Sequence, residues 1–123
     1  MATTLIAGAL VVSVVNRASA MHALMHVTLV KSDPKLNDTL TASPKAIRLW
    51  FSESVQTGAT SIRLSGADSK AIPVGKPSVA SEPKSPVEVA VSETLKPGRY
   101  TVDWRTMASD GHPAKGTLSF VVR

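Results

Sequence analysis

The chain contains no cysteine. That excludes disulfide staples, thiolate nucleophiles, zinc fingers, iron–sulfur clusters and a cysteine-ligated blue copper centre. Aromatic residues are scarce at 4%, so a core must be built mainly from Val, Leu, Ile and Ala. Eight Pro and seven Gly among 123 residues are too few for a collagen-like or low-complexity chain. Acidic residues are in the minority: nine Asp and Glu face 14 Lys and Arg, a net charge of +5. Such a balance suits solubility and weak attraction to anionic surfaces but names no partner. What remains is ordinary for a globular protein. A hydrophobic content of 43% with 19% charged residues argues against disorder, and the length allows one domain of ordinary size, not two.

Residues 1–20 read MATTLIAGALVVSVVNRASA. The apolar run from Leu5 to Val15 is eleven residues, whereas a helix needs about 20 to cross a hydrocarbon layer of ~30 Å. The run matches the central region of a secretory signal, and Ala18-Ser19-Ala20 supplies the small residues that a signal peptidase requires. No Lys or Arg precedes it. The expectation is a signal peptide at 1–20 and a mature domain at 21–123, soluble in the periplasm. The remaining cations are spread along the chain without interleaved aromatics, and export takes the domain away from nucleic acid. They read as a solvated face.

From residue 26 onward, short alternating runs are separated by turn chemistry. Val27–Val30 ends at Ser32-Asp33-Pro34. Ile47–Phe51 places Ile47, Leu49 and Phe51 on one face, and Ser61–Leu64 repeats the alternation before Gly66-Ala67-Asp68. Ala71–Val74 holds Pro73, which marks an edge or bulged strand. Residues 75–86 read as a loop, followed by the runs Val87–Val91, Tyr100–Arg105 and Thr117–Val122. Seven candidate strands without a 3.6-residue stripe predict an all-β Greek-key sandwich. Leu95, Val102, Trp104, Leu118 and Phe120 are expected inside it. Leu95-Lys96-Pro97-Gly98-Arg99-Tyr100 is similar to the corner by which immunoglobulin-like sandwiches enter a late strand, with the tyrosine bonded back to the loop.

The chemistry concentrates in three histidines: His22, His26 and His112. In Ser109-Asp110-Gly111-His112-Pro113 a carboxylate and an imidazole stand two residues apart on a turn between the last two strands. Extended i, i+2 spacing points both to one side, where a metal ion can bridge them. His26 directly precedes the first predicted strand, and in a sandwich the first and last strands can lie close together. Two imidazoles and a carboxylate without thiolate suit Cu(II), with Zn(II) and Ni(II) as competitors. There is no Gly-x-Ser-x-Gly elbow, P-loop or His-Glu-x-x-His.

Four ordered motifs, His26-Val-Thr-Leu-Val-Lys-Ser-Asp-Pro34, Leu49-Trp-Phe-Ser-Glu53, Leu95-Lys-Pro-Gly-Arg-Tyr-Thr-Val-Asp-Trp-Arg105 and Ser109-Asp-Gly-His-Pro113 with Gly116, resemble the CopC family of periplasmic copper-binding proteins. The likeness spans His26 to Arg123. It implies a cupredoxin-like or immunoglobulin-like β-sandwich with Cu(II) at one end. It further implies that His26 matches the histidine at the mature N-terminus and that Asp110 and His112 match the other ligands. Glu53 matches an acidic residue near the copper, and Trp104 a core tryptophan beside the site. Family members with a Cu(I) site carry several methionines in a mid-chain loop. Here Met occurs only at 1, 21, 25 and 107, so a single Cu(II) site is expected. Cleavage after Ala20 would place five residues ahead of His26 and make His22 an additional nitrogen donor. The resemblance implies a monomeric, non-catalytic copper protein for sequestration, transport or resistance, cooperating with a CopD-type membrane protein. The rival readings are a histidine-brace copper monooxygenase and a metal-free recognition sandwich.

Overall fold

The computed structural model describes residues 27–123; the expected signal peptide at 1–20, and with it His22 and His26, lie outside the described residues. The alternating runs form nine strands: β1 (Leu29–Asp33), β2 (Asp38–Leu40), β3 (Ala46–Phe51), β4 (Ser61–Gly66), β5 (Ala71–Ile72), β6 (Ser78–Val79), β7 (Val87–Ala90), β8 (Gly98–Met107) and β9 (Pro113–Val122). One 3₁₀ turn, Thr57–Ala59, joins β3 to β4. The strands make a four-stranded sheet of order β1-β3-β7-β6 and a five-stranded sheet of order β2-β9-β8-β4-β5. All pairings are antiparallel except β2 with β9.

Period-two alternation decides which side chains go inside. On β8, Tyr100, Val102, Trp104 and Thr106 are buried, and on β9 so are Leu118, Phe120 and Val122. They meet Ile47 and Leu49 of β3 and Val87 and Val89 of β7 in one core cluster. The result is the expected two-layer all-β sandwich. All five residues expected inside are buried. Tyr100 donates its hydroxyl to Lys96 O at 2.6 Å, closing the predicted corner.

Among the described residues, nine strands stand in place of the seven expected. The additional β2 and β6 are three and two residues long, too short to carry an alternation, and β6 falls inside the predicted loop 75–86. The first strand is displaced as well. It begins at Leu29 and runs to Asp33, because the register against β3 shifts between Leu29 and Lys31 and carries the pairing past Val30.

Candidate metal centre

The longest ladder of the fold positions the site. β8 and β9 pair over ten rungs, from Gly98 opposite Val122 to Met107 opposite Pro113, and the turn 108–112 closes them. Within the turn the Ala108 N–H donates to His112 O at 2.9 Å and the Gly111 N–H donates to Ala108 O at 2.9 Å. Gly111 has φ of +91°, a conformation that side-chain-bearing L residues rarely adopt.

This geometry brings Asp110 and His112 together. Asp110 Oδ1 accepts the His112 backbone N–H at 3.1 Å, and its Oδ2 lies 2.9 Å from His112 Nδ1. Both side chains are exposed. The His112 side chain, and after it the His112 backbone N–H, hold the Asp110 carboxyl below its usual range. The same contact selects a tautomer: with Nδ1 donating to the carboxylate, Nε2 is the lone-pair nitrogen. A carboxylate that orients an imidazole in this way is a recurrent support for metal ligation.

Residues 52–60 brace the turn from the side. Val55 pairs with Ala108, the Gln56 N–H donates to Met107 O at 2.8 Å, and Gln56 Nε2 donates to Ala108 O at 3.0 Å. Ser109 Oγ donates to Ser54 O at 3.2 Å. Beneath them the Thr60 and Thr106 hydroxyls share a buried hydrogen bond of 2.7 Å. None of these braces is visible in the sequence, since each spans about fifty positions without a local pattern. Trp104 closes the core below. Its ring meets Phe51 edge-on, centroids 5.1 Å apart at 66°, and covers Gly116, where a Cβ would come within 2.5 Å of the indole.

A recess of about 390 Å³ opens beside the turn, lined by Val27, Arg105, Thr106, Pro113, Ala114 and Lys115. Val27, the residue bonded to His26, is buried and shares this recess with Pro113, the residue bonded to His112. Glu53 is exposed and lines a different cavity of about 700 Å³ with Trp50, Val55 and Glu82. Among the described residues no three His, Asp or Glu side chains converge. The structure thus brings Asp110 and His112 together, and does not gather Glu53 into a three-residue cluster with them.

Comparison with known proteins places this geometry. The CopC domain matches residues 29–123. Protein YobA of Escherichia coli K12 is 36% identical over 98 residues, covering 80% of this chain and 79% of its own. Copper resistance protein C of Escherichia coli is 34% identical over 111 residues, covering 85% and 86%. Among solved structures, CopC from Methylosinus trichosporium OB3b superposes with a TM-score of 0.73 at 28% identity, covering 79% of this chain and 93% of that one. PcoC, described as a methionine-rich copper resistance protein from Escherichia coli, gives 0.69 at 32% identity, covering 80% and 100%. The matched span and the two-sheet architecture agree, and the chain belongs to the CopC domain family.

Proposed function

We propose that this chain binds Cu(II) at the β8–β9 turn and sequesters it or passes it on outside the cytoplasm, without catalysing a reaction. The observation that carries this reading is the carboxylate-oriented imidazole of His112 on a braced turn, in a chain whose relatives include copper resistance proteins. Copper is cargo here. His112 supplies a nitrogen, and Asp110 either holds that ring or adds an oxygen. His26 supplies the second imidazole: Val27, the residue bonded to it, is seated in the recess that also borders Pro113. His22 is a further donor. Nitrogen and oxygen donors without thiolate fit Cu(II), which also outranks Zn(II) and Ni(II) for a given nitrogen and oxygen site.

The domain is reached after removal of residues 1–20 and acts as a monomer, with a CopD-type membrane copper protein as its partner. The few methionines support a single Cu(II) site without a Cu(I) thioether site. Titration of the purified protein with Cu(II), followed by the copper d–d absorption and competition with a chelator, tests the reading. His112→Ala is expected to weaken binding by at least the ~10–100-fold that loss of an orienting partner alone produces. An unchanged titration in that variant removes the site from this turn.

A further inference from the structure

The two outer faces of the sandwich handle charge differently. On the four-stranded sheet, Arg48 is bracketed by carboxylates, Nη1 lying 3.2 Å from Asp33 and Nε 3.2 Å from Glu88. The Lys31 ammonium sits 4.5 Å from the Trp50 ring centroid. On the five-stranded sheet compensation is smaller, with Asp103 directly opposite Arg63. Its strands β4, β8 and β9 present Arg63, Arg99, Arg105 and Lys115, all exposed, and these strands hold one carboxylate, Asp103, which accepts the Thr117 hydroxyl at 2.7 Å. Among the described residues no ion pair reaches any of the four cations, and residues 1–26 contain no Asp or Glu to supply one.

One rung makes the asymmetry sharper. Arg105 stands directly opposite Lys115, and like charges in that position destabilise an antiparallel pair. No carboxylate stands directly opposite either side chain. Three of the four cations are arginines, whose planar forks match carboxylates in pairs. The large hydrophobic residues exposed among the described residues, Val30, Leu36 and Val79, all lie off these strands, so the face presents no large, fully exposed hydrophobic side chain to insert into a bilayer. We propose that the outer face of β4, β8 and β9 is a docking surface for an acidic segment of a partner protein. From Arg99 to Arg105 it spans roughly 20 Å, the length of about six extended residues. The Arg105–Lys115 rung lies two residues from Met107 and Pro113, about 7 Å along the strands, so an occupant would end beside the turn. The docking does not depend on copper binding, and metal-free protein is used to test it.

The probe is poly-L-glutamate at low salt, with binding read from amide chemical shifts of the metal-free protein. Perturbations are expected on β4, β8 and β9. The double variant Arg105→Glu with Lys115→Glu should weaken binding about tenfold or more. Lys45→Glu with Lys76→Glu, the same change in net charge on exposed loops elsewhere, should leave it within about twofold. Lys115→Glu alone should raise the thermal midpoint, because it turns a like-charged rung into an opposed pair. An equal loss in both double variants, no binding of the polyanion, or tighter binding of phosphatidylglycerol vesicles or duplex DNA through the same residues overturns the proposal.

Discussion

At the scale of single residues, the turn depends on one short contact. Asp110 accepts from His112 through both of its oxygens, and this holds its carboxyl below the usual range. A folded-state value below the unfolded one means that the contact stabilises the native turn above the unfolded value. That contribution is fully present at neutral pH and is lost as pH falls through the folded-state value. Carbon-detected NMR titration of metal-free protein should therefore place the Asp110 midpoint below the usual aspartate value. In His112→Ala it should move back up. A midpoint unmoved by that substitution would mean that the imidazole is not its cause.

At the scale of elements, the β8–β9 hairpin carries both the site and the core beneath it. The rung that pairs Trp104 with Gly116 leaves room for the indole only because Gly116 has no side chain. Gly116→Ala should cost about 1–3 kcal/mol, as overpacking of a filled core does, seen as a lower urea midpoint with an unchanged slope. An unaltered midpoint would show that the ring shifts freely. This hairpin is also where the chain was easiest to read, because its information is local. Alternation marked Val102, Trp104, Leu118 and Phe120, the Pro-Gly pair and Tyr100 marked the corner, and Asp-Gly-His-Pro marked the turn. β2 was not legible for the opposite reason. Its three residues are held by parallel pairing with Phe120–Val122, some eighty positions away, and leave no pattern in their own composition. The Gln56, Thr60 and Thr106 braces are silent in the same way. They are small polar residues whose role exists only once β8 has been laid against 52–60.

At the scale of the whole molecule, charge is distributed by face. The sequence shows cations scattered evenly, and a solvated face is what that spacing suggests. The strand period instead sorts Arg63, Arg99, Arg105 and Lys115 onto one side of one sheet, an arrangement that depends on pairings between distant segments. Screening should then favour the folded state. The repulsion across this face weakens as salt rises toward a Debye length of about 8 Å, while the half-buried Arg48 pairs at the surface forfeit little, since surface pairs contribute only ~0–1 kcal/mol. The thermal midpoint of metal-free protein should rise between low salt and physiological ionic strength. A fall would mean that attractive pairs dominate the surface.

Trp50 and Trp104 sit in opposite settings, one half-exposed beneath a lysine ammonium and the other sealed at 6% exposure against Phe51. With only two indoles in the chain, intrinsic emission divides into a solvent-shifted component from the surface and a blue component from the interior. The protein thereby reports on its skin and its heart at two separate wavelengths, without an added label.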